Sequence, residues 1–188
     1  MSEDYLIRNC APTLAGIKTG SMFSCPCDSR EDLWAFVRQI NHRLSPKGLR
    51  LLPLRLRGKN ALLYLYRPAS LQRDLSHRAA IDLLQQCGYR FTRCDDCLEQ
   101  LVKRLREPGE FPHEIGLFLG YPAEDVRGFM EQGPQHCKAS GCWKVYRKEE
   151  AAMKTFAQYR KCTRIYRDLW AGGKAMEQLT VPTRTGLS

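Results

Sequence analysis

The residues best suited to chemistry in this sequence are nine cysteines and four histidines. Cys94 and Cys97 have the spacing of redox-active thiols at a helix N-terminus, where the helix dipole lowers the thiol pKa. Asp95 and Asp96 lie between them and oppose this chemistry, because nearby anions disfavour a thiolate. The pair is therefore either redox-active or simply packed, and the sequence leaves both alternatives open.

Five residues in two segments have side chains that metal ions accept as ligands. They are Cys94, Cys97, His136, Cys137 and Cys142. Thiolate and imidazole groups would form one metal site only if the fold brings the two segments together. The chain contains no pair of Cys-x2-Cys units, which excludes the standard zinc-ribbon pattern.

The segment Cys25-Pro26-Cys27 contains a Cys-Pro step, which in some proteins supplies a thiolate ligand to haem iron. The alternative is a turn at the end of a strand. Cys162 lies on an apolar helix stripe and is predicted to be a core residue. Because nine cysteines cannot all pair, we expect mostly reduced thiols and no disulfide that folding requires.

His113 and Glu114 are adjacent and could form a general base with its orienting carboxylate, or a pair of metal ligands. Neighbouring residues on a helix point about 100° apart, which makes a shared ligand site difficult. Helix capping by His113 and a dipole interaction of Glu114 are the alternative. The catalytic candidates are therefore these two residues and the thiol of Cys142.

Residues 115–129 have the spacing of a helix-turn-helix, with Gly116 where the first helix needs a small residue and Gly120 at the turn. The second helix would present Glu124 and Asp125 to DNA, whose phosphates repel both. We therefore expect a helical hairpin that packs within the fold, and we expect nucleic acid less than other anionic partners.

Basic residues are concentrated in two parts of a chain whose formal net charge is +10. Residues 33–73 contain nine Lys or Arg and no acid, and residues 143–174 contain nine basic residues against three acidic ones. Between these segments, residues 107–131 carry six acids and one Arg. This concentration of one sign favours an anionic partner and indicates where it would bind.

Arginines of the two basic segments are the candidate binding residues. They are Arg50, Arg55 and Arg57 on a predicted hairpin, and Arg160, Arg164 and Arg167 on the last predicted helix. If the hairpin and the helix are neighbours, they form one cationic surface. That surface could accept a nucleotide, a haem propionate, an acidic protein such as a flavodoxin, or RNA. The alternative is two solvated faces.

Length and composition predict one domain over residues 1–180, followed by a loose tail at 181–188. The apolar fraction of 43% and the charged fraction of 27% are ordinary for globular proteins. No run approaches the roughly 18 apolar residues of a membrane-spanning helix. The acidic first residues differ from a secretory signal, so we expect a cytoplasmic protein without membrane association.

Four short strands and about six helices are predicted from the hydrophobic pattern. The strands are 14–24, two arms of a hairpin at 49–57 and 61–67, and 142–146. Leucine and arginine alternate along the first arm, with a phase slip at 52–53 that indicates a bulge, and the second arm should be central. The helices are 30–44, capped by Asp28 or Ser29, then 68–87, 95–106, 113–119, 122–132 and 148–171. This order predicts an α+β fold with a small mixed or antiparallel sheet covered by helices.

Three stretches of the sequence resemble a bacterial family catalogued as domain of unknown function 3793. They are residues 10–19 (CAPTLAGIKT), 111–122 (FPHEIGLFLGYP) and 141–146 (GCWKVY). Their order and spacing also fit, so the resemblance covers nearly the whole chain. The family has no established activity or agreed catalytic residues. Its members occur mainly in anaerobic Gram-positive bacteria, often beside ferrous-iron transport and flavodoxin genes, so the resemblance implies a link to iron or redox metabolism.

Three hypotheses of function follow. The first is a non-enzymatic binding or accessory protein of iron or redox metabolism, whose basic surface takes an anionic ligand or an acidic protein, with haem or iron as its cofactor. The second is an enzyme that uses a cysteine, or His113 with Glu114. The third is a transcriptional regulator that acts through the helix-turn-helix-like segment.

Overall fold

The computed structural model describes residues 2–183 and has an α+β fold, which confirms the predicted class. Its helices are α1 (Asp4–Leu14), α2 (Arg30–Leu44), α3 (Pro68–Leu75), α4 (Arg78–Gln86), α5 (Cys94–Arg106), α6 (Ile115–Phe118), α7 (Ala123–Gln132), α8 (Glu149–Ala171) and α9 (Met176–Leu179). Its strands are β1 (Gly20–Pro26), β2 (Arg50–Arg57), β3 (Asn60–Tyr66), β4 (Ala139–Ser140) and β5 (Lys144–Val145). Within the described residues no helix combines the length and the apolar character needed to cross a membrane.

Strands β1, β3 and β2 form an antiparallel sheet in that order. The structure confirms the predicted hairpin and the central position of its second arm, β3. This position agrees with the sequence of β3, because a strand that is apolar on both faces must be shielded from water on both faces. The bulge lies between Pro53 and Arg55, next to the predicted phase slip. The late strand does not join this sheet. Strand β5 pairs with β4 in a separate two-stranded sheet, because the short connection between them favours local pairing.

Two compact units make up the described chain. The first contains residues up to Ser70 together with those from Tyr159 onward, and the second contains Leu71 to Gln158. In the first unit α1 packs on β1 and α2 packs on β2. In the second unit α7 contacts α4, α6 and β5.

Helix α2 shows how local sequence and packing agree in the first unit. The Ser29 hydroxyl oxygen accepts a hydrogen bond from the Asp32 backbone N–H at 3.0 Å and caps the helix. The buried face contains Leu33, Phe36, Val37, Ile40 and Leu44. These side chains share one hydrophobic cluster with Leu63 and Leu65 of β3, and full burial of one leucine stabilises a fold by about 2 kcal/mol. The predicted helix 30–44 is confirmed.

Arg67, directly after β3, is buried without a carboxylate partner among the described residues and is only 3% exposed. Its guanidinium donates hydrogen bonds to the backbone carbonyls of Thr13, Leu14 and Val181 and to the hydroxyl oxygen of Thr183, at 2.6 to 2.9 Å. Burial lowers the pKa of Arg67. Four acceptors thus replace the water that this cation loses. They lie in two segments, 13–14 and 181–183, and Arg67 joins both to the end of β3.

The loose tail predicted at 181–188 lies partly outside the described residues. Its first three residues are held in place, since the Val181 N–H donates to the Leu14 carbonyl at 2.9 Å and the Thr183 N–H donates to the Lys47 carbonyl at 2.9 Å. Residues 184–188 lie outside the part of the chain that the structure describes.

Helices α1 and α9 and strand β4 were not predicted, and two predicted elements differ substantially from the structure. The strand predicted at 14–24 begins only at Gly20, because α1 precedes it and ends where Gly16 adopts a φ of 78°. The helix predicted at 68–87 is two helices. His77 is extended, with ψ of 135°, and the Ser76 hydroxyl donates to the Arg73 carbonyl at 2.7 Å, so the chain is redirected between α3 and α4.

Candidate functional site

The C-terminal half of α8 carries a row of exposed cations. Arg160, Arg164 and Arg167 are spaced by four and three residues, which at 3.6 residues per turn places them within about 60° of one another on the helix. Lys161 lies beside them and is exposed too. We call these four residues the α8 basic face.

The side chains of the α8 basic face make no hydrogen bond or ion pair with any residue in the described range 2–183. Asp168 is exposed on the same stretch of helix but is not paired with Arg164, four residues before it. The positive charge of this face is therefore not neutralised by a local partner.

The opposite side of α8 fixes the direction of these cations. Tyr166, Leu169 and Trp170 pack against the hydrophobic cluster of the first unit, and Tyr159 is 9% exposed. Burial raises the pKa of Tyr166, with a smaller effect from Cys162. Because this stripe is anchored in the core, the basic face is presented to solvent on a rigid element.

The three hairpin arginines form a second, separate group. Their partners on β3 are Tyr66 for Arg50, Leu62 for Arg55 and Asn60 for Arg57. Side chains alternate between the faces of a strand, so this sheet face is opposite the one that buries Leu63 and Leu65. The apolar side chains of α8 pack against the cluster that contains Leu63 and Leu65, which is on the other face of the sheet from the hairpin arginines. The structure therefore does not join the six predicted arginines in one surface.

Glu114 is buried, and its carboxylate is already occupied. The Tyr89 hydroxyl donates a hydrogen bond to Glu114 Oε1 at 3.0 Å, and Arg104 Nη1 lies 3.3 Å from the same oxygen. Burial and the Glu114 charge raise the pKa of Tyr89. His113 is exposed, and its ring contacts Phe129 edge to face with centroids 4.8 Å apart. The imidazole and the carboxylate therefore have different neighbours and do not form a catalytic pair.

Cys94 begins α5, and Cys97 is buried three residues later. Burial raises the pKa of Cys94 to about 11, with a further contribution from Asp95. Burial raises the pKa of Cys97 to about 12, with contributions from Cys94 and Asp96. Both thiols are protonated near neutral pH, whereas a redox-active pair needs a thiolate. The structure supports the packed alternative.

Cys25 and Cys27 are core residues, 2% and 3% exposed. The Cys27 thiol donates a hydrogen bond to the Ser29 carbonyl at 3.0 Å, and burial raises the pKa of Cys25. Strand β1 ends at Pro26, between the two cysteines. These positions agree with a turn at the end of a strand and leave neither thiol exposed to a haem.

The candidate metal ligands are not brought together. His136 Nδ1 donates a hydrogen bond to the Gln132 carbonyl at 2.7 Å, and Cys142 is exposed while Cys137 is half-buried. Among residues 2–183 no group of three or more His, Cys, Asp or Glu side chains could hold a metal ion. The predicted ligands therefore do not form a site for an iron ion among these residues.

Helices α6 and α7 form a close-packed hairpin around Gly116. A Cβ atom there would lie 2.7 Å from Val126 Cγ2 and 3.1 Å from Tyr121 Cδ2, so any larger residue would force the helices apart. The two acids at the start of α7, Glu124 and Asp125, have partners within the second unit. Glu124 pairs with Lys148 at 2.9 Å, and Asp125 is buried.

Asp125 accepts three hydrogen bonds from the segment that contains β5. They come from the Trp143 indole N–H at 2.8 Å, the Tyr146 backbone N–H at 2.8 Å and the Arg147 backbone N–H at 3.2 Å. A residue that would face DNA in a recognition helix is instead turned into the protein.

A pocket of about 190 Å³ lies in the second unit beside α6, α7 and β5. It is lined chiefly by His113, Tyr121, Val126, Phe129, Trp143 and Lys144. The Tyr121 and Trp143 rings are stacked with centroids 5.0 Å apart, and Trp143 also meets Phe156 edge to face at 4.5 Å. Most of the lining is aromatic or aliphatic, and the polar groups are few.

A family model described as protein of unknown function, DUF3793, matches residues 6–180 of the chain. The chain belongs to the DUF3793 family. No curated protein and no solved structure matches it.

The pocket is the feature that the sequence alone did not predict. Tyr121 and Trp143 are far apart in the sequence and meet only because α7 and β5 pack together. One signal pointed to them: both lie in stretches through which the chain resembles the DUF3793 family, 111–122 and 141–146.

Proposed function

We propose that this DUF3793 member is a non-enzymatic binding protein that captures an acidic protein through the α8 basic face. The observation that carries the proposal is that Arg160, Lys161, Arg164 and Arg167 are exposed and unpaired among the described residues. Concentrated charge of one sign adds self-repulsion to the folded state and steers an oppositely charged partner to the surface. Scattered charges would serve solubility equally well.

The shape of the α8 basic face suits a protein partner better than a small anion. From Arg160 to Arg167 the helix rises by roughly 10 Å, so the guanidinium groups form a ridge and do not converge on one point. A ridge of forked donors matches carboxylates spread over a surface, which arginine binds with two parallel hydrogen bonds. An acidic electron-transfer protein such as a flavodoxin is the first partner to test, given the link to iron and redox metabolism that the family resemblance implies.

The other two hypotheses have less support from the geometry. For the enzyme hypothesis, the Glu114 carboxylate is occupied by Tyr89 and does not orient His113, and the Cys94 and Cys97 thiols have raised pKa values. A regulator would need an exposed reading helix, whereas Asp125 of α7 is 3% exposed. No disulfide links any of the nine cysteines, all of which lie within residues 2–183, and this agrees with a reducing, cytoplasmic location.

The proposal is tested by neutralising each arginine group separately. One variant carries Arg160→Gln, Arg164→Gln and Arg167→Gln, and its matched control carries the same change at the three hairpin arginines. Both lose three positive charges, so net charge affects them equally. We expect the helix variant alone to lose affinity for a purified flavodoxin in calorimetry, with circular dichroism showing both variants folded. Equal loss in both variants, or no binding by the parent, would overturn the proposal.

A further inference from the structure

The pocket of the second unit has walls that match a flat apolar ring. Tyr121 and Trp143 are stacked, with ring planes inclined by 29°, and Phe129 contacts His113 edge to face. Val126 closes the pocket beside them. Aromatic rings attract another ring in stacked or edge-to-face geometry, in addition to the gain from burying apolar area.

The ring of Trp143 is held rigidly. Its polar atom, Nε1, is used by Asp125 at 2.8 Å, and its edge packs on Phe156 at a centroid distance of 4.5 Å. The ring therefore offers only carbon atoms to the pocket. A wall that is fixed before binding loses little conformational entropy when a ligand enters.

Two polar side chains of the pocket lack partners. Lys144 is half-buried and His113 is exposed, and neither forms a hydrogen bond or an ion pair with another described residue. The carboxylate of Asp125 also lines the pocket, but its hydrogen bonds go to Trp143, Tyr146 and Arg147, and it forms no ion pair with Lys144. An anion that enters the pocket beside Lys144 would gain a charge-assisted hydrogen bond from its ammonium group.

Size limits the ligand to one ring. A dry apolar cavity of about 150 Å³ accepts benzene, and this pocket measures about 190 Å³. We propose that it binds a small aromatic carboxylate, with the ring against Tyr121, Phe129 and Trp143 and the carboxylate on Lys144 and His113. This site is independent of the α8 basic face and of the protein partner proposed for it.

The experiment titrates the full-length protein with phenylacetate and follows the indole N–H resonances of the three tryptophans by NMR. We expect saturable binding that shifts the Trp143 resonance. The neutral isostere phenylacetamide should bind at least about tenfold more weakly, since the attraction between a carboxylate and the Lys144 ammonium is lost. Because this comparison uses the parent protein, it decides the requirement for charge even if a variant fails to fold.

Variants then locate the charge. Lys144→Met should weaken phenylacetate about tenfold and leave phenylacetamide unchanged, and Lys144→Arg should restore much of the affinity. Lys138→Met is the matched control, an exposed lysine of the same unit outside the pocket lining, and should have no effect. Absence of saturable binding, equal affinity for acid and amide, or unchanged affinity in Lys144→Met would overturn the proposal.

Discussion

The carboxylate of Asp125 and the indole nitrogen of Trp143 are joined by a hydrogen bond of 2.8 Å. The same carboxylate accepts the backbone N–H groups of Tyr146 and Arg147. One acidic side chain of α7 therefore ties this helix to the chain around β5 and fixes the aromatic wall of the pocket. A substitution at Asp125 should affect both the stability of the second unit and the pocket.

We expect Asp125→Asn to lower the free energy of unfolding by about 3 kcal/mol, because an amide nitrogen cannot accept the hydrogen bonds that one carboxylate oxygen accepts and the site is buried. Urea denaturation measures this change. The matched control is Glu124→Gln, the neighbouring acid, whose exposed ion pair with Lys148 should be worth less than about 1 kcal/mol. Similar losses in the two variants would show that the hydrogen bonds of Asp125 have no special weight.

We expect Arg67→Met to destabilise the first unit by about 3 kcal/mol, because the carbonyls of Thr13, Leu14 and Val181 all lose the hydrogen bond that Arg67 donates. The Val181 segment should also detach, which hydrogen exchange of the Val181 amide would report. Arg57→Met is the control, since that arginine is exposed on β2. A variant at Arg67 with unchanged stability and protection would contradict the anchoring role.

Stability should depend on pH through Glu177, which pairs with Arg43 across 2.8 Å. The hydrogen bonds from Arg43 lower the pKa of Glu177 from 4.5 to about 2. The ionised form is therefore favoured by folding, so this pairing stabilises the protein above pH 4.5 and is lost as the pH falls towards 2.

Thermal unfolding of the parent and of Glu177→Gln, measured across this acidic range, tests that expectation. The difference in stability between the two proteins should be constant at neutral pH and should disappear in acid. Asp168→Asn, at an exposed carboxylate without a partner among the described residues, is the control. A difference that grows as the pH falls would contradict the sign of the pKa shift.

Alkylation of Cys94 by iodoacetamide should be slow at neutral pH and should keep accelerating as the pH rises towards the Cys94 pKa of about 11, because only the thiolate reacts. Peptide mass spectrometry measures the rate residue by residue. The exposed Cys142 provides an accessible thiol in the same experiment. A Cys94 rate that is already maximal at neutral pH would restore the redox-pair alternative.

Caps and hydrophobic periodicity predicted the elements whose structure depends on neighbouring residues in the sequence. Helix α2 begins after the cap at Ser29 and carries a regular apolar stripe, so its bounds were predicted correctly. The alternation of leucine and arginine likewise predicted the hairpin. Helix α1 was not predicted, and Pro12 lies within it, where a proline removes an N–H that an α-helix normally uses.

The arrangement of side chains around the candidate sites depends on long-range contacts that periodicity does not encode. Glu114 meets Tyr89, which is 25 residues earlier, and Asp125 meets Trp143, which is 18 residues later. Cysteine spacing suggested a metal site, but spacing alone could not show that the two segments stay apart. The α8 basic face was predicted because exposure and charge follow from the helical period.

Capture of an acidic protein by the α8 basic face is tested most directly by kinetics. The quantity to measure is the rate at which the protein associates with a purified flavodoxin at different salt concentrations. For the parent, the rate should be high at low salt and should fall steeply as salt is added, because steering by the arginines is screened. The variant in which Arg160, Arg164 and Arg167 are glutamine should associate slowly at low salt, with a much flatter salt dependence. Identical rates for the parent and this variant at every salt concentration would contradict the account.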